Sequence, residues 1–268
     1  MLAYFDNLDF TVLAFLAATL VSLMTSYIGV MVVLRRMAFV GATLAQLATA
    51  GIALSGLLEI PCNAGAVVMM LLGVGFFAQQ DTRQHLPSEG LIGAGYVAAG
   101  ALAVLFMALA PHTDSDMLGL LFGNILAVSA QDLLLMLAAL LLVTAVNALF
   151  CKQFLLIAFD PMMAQALGYK VKLWNWLFYL SLGLAIAVAI HTAGVLLVFS
   201  MLVLPPLTGL ALSQKWTAVW AISVLSSLLA AGGGVWLSAR WDLPTGASII
   251  AVSCGLFGLA LLKKRICA

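Results

Sequence analysis

Few side chains in this sequence are equipped for chemistry, and those few are scattered. The histidines His85, His112 and His191 and the cysteines Cys62, Cys151, Cys254 and Cys267 lie far apart along the chain. Neither set has the ligand spacing of a zinc site or a disulfide framework, so the cysteines read as small apolar fillers. No G-x-x-x-x-G-K-[ST] loop offers a phosphate cradle, and no H-E-x-x-H or G-x-S-x-G supplies a protease or hydrolase. The polar residues inside the long apolar runs are uncharged: Ser26, Thr43, Gln46, Thr49, Asn147, Asn175, Ser181, Ser200 and Thr208. Groups of this kind mostly hydrogen-bond between membrane helices. Proton relays and ion-coupled antiport need ionisable groups there, and the runs hold essentially none away from their ends. A secondary transporter is disfavoured.

The elements that carry these residues follow from composition. Of 268 residues 65% are apolar and 8% are charged, against about 45–50% and 25% in soluble domains. A soluble enzyme is excluded, and a net charge of +1 gives no footprint for nucleic acid. A bilayer core takes about 20 apolar residues of helix. Nine runs qualify, near 10–34, 38–58, 64–78, 91–110, 131–150, 173–190, 195–212, 217–237 and 247–262. The runs are continuous rather than alternating, which predicts helices and an all-α polytopic bundle. The third is short, and Pro205-Pro206 is expected to break or kink the seventh, as Gly232-Gly233-Gly234 should loosen the eighth. Close helix packing is the expected role of most other glycines, Gly93, Gly95 and Gly100 included.

Basic residues then orient the chain. Threaded alternately from an external N-terminus, one side receives Arg35, Arg36, Arg83, Lys152, Lys170, Lys172, Lys215, Lys263, Lys264 and Arg265, and the other only Arg240. That asymmetry places the C-terminus in the cytoplasm. The first run lacks the basic flank and cleavage site of a signal peptide and reads as an anchor. Two connections exceed a turn. The external one predicts a short helix near 117–128. The cytoplasmic one contains DPMMAQALGYK, in which Asp160 caps a helix, Pro161 occupies its first turn and Gly168 ends it, near 160–169. So short a helix needs a docking partner.

Three stretches carry a wider pattern: RRMAFVGATLAQLATAGIAL over 35–54, DMLGLLFGNILAVSAQDL over 116–133, and the run 160–262 with DPMMAQALGYK, HTAGVLLVFSMLVLPP and WDLPTGASII. In this order, over nearly the whole chain, they resemble the membrane permease subunit of the zinc/manganese/iron-type bacterial ABC importers, most nearly its zinc-type members. The resemblance implies a single permease domain over 1–268 in the bacterial inner membrane, surrounded by lipid and paired as a homodimer. It implies a separate cytoplasmic ATPase dimer that holds ATP and magnesium, an extracytoplasmic metal-binding protein, and no cofactor on this chain. The segment with Asp160, Pro161, Ala164 and Gly168 would couple to the ATPase. Ala42, Thr43, Gln46 and Asn124 would line the path. Family members typically carry G-D-x-L-x-H in the second span, and zinc-type relatives often have an Asp after F-G. Here Ala42 and Gln46 stand at the Asp and His positions, and Asn124 follows F-G. A divalent metal is the expected cargo, zinc first, then manganese or iron. A chelated metal or small organic solute on the same architecture, or a stand-alone channel-like protein, are the alternatives.

The charge asymmetry predicts nine crossings with the N-terminus outside. Cysteine labelling tests it: residues 263–268 should be protected in intact cells, and external labelling there would contradict the topology.

Overall fold

In a bilayer the backbone finds no water, so each apolar run satisfies its N–H and C=O groups internally. Every regular element among the described residues is accordingly an α-helix. The computed structural model describes residues 10–58, 60, 62–78, 88–109 and 128–267. The expected external helix near 117–128, with Asn124, His85 and His112, lies outside these residues. The helices are α1 (Phe10–Leu34), α2 (Ala38–Leu58), α3 (Cys62–Ala78), α4 (Ser88–Leu109), α5 (Ala130–Leu149), α6 (Cys151–Phe159), α7 (Pro161–Ala166), α8 (Val171–Leu212), α9 (Trp216–Trp241) and α10 (Thr245–Cys267). Among the described residues seven are long and apolar enough to cross a membrane, and the apolar part of α3, Ala64–Ala78, is shorter.

The 42 residues of α8 would span about 63 Å if straight, twice the roughly 30 Å bilayer core. They are not straight. Gly194 has φ 75° and ψ 162°, a conformation essentially reserved for glycine. A Cβ built on Gly41 would lie 2.5 Å from Leu202 Cδ2 and 4.0 Å from Ile186 Cδ1. Ile186 and Leu202 stand equally far on either side of Gly194 and would be about 24 Å apart in a straight helix. Both meet one glycine because α8 folds back at Gly194 into two arms, 171–193 and 195–212.

The prolines act differently from the sequence expectation. Gly194 is the non-helical residue inside α8, whereas Pro205 and Pro206 are buried in continuous helix. A proline at 206 cannot donate to the carbonyl four residues earlier, that of Leu202. That freed carbonyl faces Gly29 of α1, where a Cβ would collide with it and would also lie 3.0 Å from Pro206 Cγ. Glycine on one helix thus accommodates the proline of the other. Nor does Gly232-Gly233-Gly234 interrupt α9; Gly234 instead lets the backbone of Ile249 in α10 come close. A Cβ on Gly95 would lie 3.3 Å from Thr43 Cγ2, while one on Gly93 would meet open space.

The core lies where α8 meets α1, α2 and α3, with Met24, Ile28, Leu44, Met70, Phe178 and Leu202 almost fully buried. Helices α4 and α5 cover the outside and leave most of their own surface open. Most of the intramembrane polar groups do bridge helices: Asn147 Nδ2 donates to Ser181 Oγ (3.3 Å) and Ser227 Oγ to Ser26 Oγ (3.1 Å). Thr49 and Thr208 instead bond back to the carbonyls four residues earlier.

Gly29→Val should lower the unfolding free energy by about 1–3 kcal/mol through overpacking against α8. Gly93→Ala should change it by no more than about 1 kcal/mol. Thermal unfolding of the detergent-solubilised variants measures both, and an unchanged Gly29→Val would contradict the close approach.

Candidate functional site

The face of α2 that carries Ala42, Thr43 and Gln46 is set by a three-residue turn. Helix α1 ends in a Schellman motif in which Met37 N–H donates to Val32 O and Arg36 N–H to Val33 O, both at 3.0 Å. Arg36 takes the left-handed conformation, φ 57°, which costs a non-glycine residue about 1–2 kcal/mol. α2 therefore starts at Ala38, directly beside the end of α1.

Thr43 is buried at the α2–α4 seam, its hydroxyl near both Phe39 O (2.9 Å) and Ile92 O (3.3 Å). One turn on, half-buried Gln46 donates from Nε2 to Tyr96 Oη at 3.4 Å. Gln46 and Tyr96 border a cleft of about 360 Å³, lined also by Thr49, Val97, Gly100 and Met107 among others, which Thr43 does not reach. Ala42 is 5% exposed and does not line it. The structure thus gathers Thr43 and Gln46 on the seam with α4, sets Ala42 in packing beside them, and does not describe Asn124. Sequence reasoning missed Tyr96. A tyrosine in a run of small residues was the available signal, but one sequence does not pair it with Gln46.

Every group this cleft offers is neutral. A carboxamide oxygen and a phenol hydroxyl orient a solute by hydrogen bonds, but they do not replace the imidazole and carboxylate that grip a dehydrated divalent ion. Among the described residues no three His, Cys, Asp or Glu side chains converge on a metal position. His191 is exposed beside the reversal of α8.

A second site lies on α6 and α7. Asp160 Oδ1 accepts from Met163 N–H at 2.8 Å and Pro161 takes the first helical position. Gly168, φ 84°, closes the helix by donating to Gln165 O, and Tyr169 N–H reaches Ala164 O, both at 3.0 Å. Those residues cap as their types require. The regular helix, Pro161–Ala166, is shorter than the span expected from sequence. Ala164 is fully buried beneath it, while Phe159, Met162, Met163 and Leu167 are exposed, Met162 by 80%. An apolar group of that kind marks a contact surface.

Arg35, read from sequence only as a topological charge, joins the two sites. Its Nη1 donates to Asn175 Oδ1 (3.1 Å) and its Nη2 to Phe154 O (3.0 Å), with the guanidinium 4.1 Å from the Phe178 ring centroid. Burial pushes its pKa down to about 10, which leaves the charge intact at neutral pH.

The model of the ABC 3 transport family matches residues 7–264. The manganese transport system membrane protein MntC of Halalkalibacterium halodurans is 32% identical over 263 residues, covering 96% of this chain and 89% of the relative. The high-affinity zinc uptake system membrane protein ZnuB of Haemophilus influenzae is 28% identical over 252 residues, 94% of this chain and 97% of the relative. In fold, the chain is similar to a chain of PsaBC from Streptococcus pneumoniae solved in complex with Fab, with a TM-score of 0.84, 24% identity and coverage of 97% and 95%.

The neutral α2 face should show no tight metal binding by calorimetry. Ala42→Asp with Gln46→His should create measurable binding if the face borders water. In a purely packed seam the same pair buries a charge at about 2.5–3.5 kcal/mol and lowers the amount in the membrane. Tight binding by the parent would contradict the first claim, and a folded, non-binding double variant the second.

Proposed function

The chain belongs to the ABC 3 transport family, and on that premise we propose that it is the permease of an ATP-driven importer of a divalent metal ion. It is a multi-pass bacterial membrane protein, and hydrolysis of ATP belongs to a separate subunit. The observation that carries the reading is the family match over residues 7–264, and the exposed apolar face of α7 supports it. Sequence motifs put zinc first. Relatives named for manganese and for zinc both resemble the chain, and manganese, zinc and iron are all proposed cargoes.

In this reading Met162, Met163 and Leu167 dock on a cytoplasmic ATPase that binds ATP and magnesium, and Asp160 and Gly168 fix the helix that presents them. The open face of α4 meets a second copy of the chain, so that two α2 helices border one path through Thr43 and Gln46. An extracytoplasmic binding protein delivers the metal. Since the path offers neutral oxygens only, it holds the ion weakly and leaves selection to that protein. In this reading the chain crosses nine times, α8 supplying two of the crossings on either side of Gly194. A second reading rests on the same cleft: about 360 Å³ of mostly apolar lining with one amide, one phenol and one threonine hydroxyl also suits a chelated metal or small organic solute.

Reconstituted with its ATPase and binding protein, the permease should hydrolyse ATP faster when manganese, zinc or iron is supplied. Stimulation by a chelate and by none of the free ions would overturn the metal-ion reading. In the same assay Ala164→Trp must displace α7, and Gly168→Val forces a β-branched residue into φ 84°, at about 1–3 kcal/mol. Both variants should reach the membrane, yet their hydrolysis should no longer respond to the loaded binding protein. A normal response would show that α7 is not the coupling element.

A further inference from the structure

The side chain of Arg35 points inward from the α1–α2 turn, and three elements meet on it. The turn leads straight into α2; Phe154 O, which accepts from Nη2, belongs to α6; Asn175 and Phe178 belong to the first arm of α8. Helix α6 passes into α7 through the single residue Asp160. It packs on α5, α7 and α8 but makes no extensive direct contact with α2. Another line out of this segment is aromatic. Phe159 meets Trp216 (5.6 Å between centroids), Trp216 meets Trp220 (6.4 Å) and Trp220 stacks on Tyr27 (5.5 Å). That line ends on α9 and α1. Phe154 also packs on Phe178 (5.5 Å between centroids), next to Tyr179, whose hydroxyl lies 4.0 Å from Met37 Sδ in the turn. Among the described residues the guanidinium is the direct hydrogen-bonded link from the turn to α6.

We propose that Arg35 is a positioning residue that makes α6–α7 and the start of α2 move as one body, so that displacement of the docking helix shifts the face bearing Thr43 and Gln46. The inference rests on the reading of α7 as the ATPase-docking element. A planar fork holds two acceptors in fixed directions while its face lies on an aromatic ring, which a lysine ammonium does not reproduce. A mere topological charge would face water. Here Nε is buried without a partner among the described residues.

The test uses the full complex with ATPase and binding protein, with the native cysteines replaced and spin labels on Met162→Cys and Phe39→Cys, both exposed positions. In the parent the distance between the labels should be narrow and the same with and without ATP. Arg35→Lys and Arg35→Gln should broaden or shift it, and Asn175→Leu should do so to a smaller degree. Both arginine variants should assemble and hydrolyse ATP, while metal taken up per ATP falls about tenfold, a usual size for a coupling between linked sites. Rescue by lysine, a parent distance that changes with nucleotide, or an unaltered distance in Arg35→Gln would overturn the proposal. So would variants that fail to assemble while Asn175→Leu leaves the distance unchanged. A parent that hydrolyses ATP without importing metal would count against the import function alone, and the distance comparison would still decide the role of Arg35.

Discussion

Helices in lipid gain little by hiding apolar surface from one another, because the surrounding tails are as apolar as they are. Close approach at small residues is what holds this bundle together. Gly29 admits the carbonyl of Leu202, Gly41 lies under Leu202 and Ile186, and Gly183 makes room for Met70. Gly51 and Gly65 bring the backbones of α2 and α3 together, and Gly234 does so for α9 and α10. Most of these contacts converge on α8, whose reversal at Gly194 sets two antiparallel arms in the centre. Fixing α8 fixes α1 and α2 against it, and with them the direction of the α2 face.

Much of this was legible in residue types alone. Apolar runs marked the long helices, and Asp160, Pro161 and Gly168 announced the short helix by capping chemistry that depends only on near neighbours. The HTAG segment before Val195 marked the boundary between the two arms of α8. Pro205-Pro206 misled, because whether a proline breaks a helix depends on what faces the freed carbonyl, and Gly29 is more than 170 residues away in the chain. Long-range partnerships were hidden for the same reason. Gln46 finds Tyr96 across 50 residues, and Arg35 finds Phe154 and Asn175 across 119 and 140. Each of those residues has several plausible partners, and only the packing of α8 selects one.

The chemistry of the site is defined by neutrality. Thr43 is committed to backbone carbonyls and Gln46 to a phenol, so the α2 seam is polar without being charged. On the proposed function, such a surface would let a cation pass without a deep resting place, and import would then depend on movement driven from α7 rather than on affinity along the way. The guanidinium of Arg35 stands between those two regions, charged, partly buried, and bonded to both α6 and α8.

Uptake of radioactive manganese and zinc into proteoliposomes holding permease, ATPase and binding protein tests the central claim most directly. The account predicts accumulation of at least one of these ions that requires ATP and stops when hydrolysis is blocked. Ion flux that continues without ATP, as through a channel, or accumulation of a chelate with none of the free ion, would contradict it.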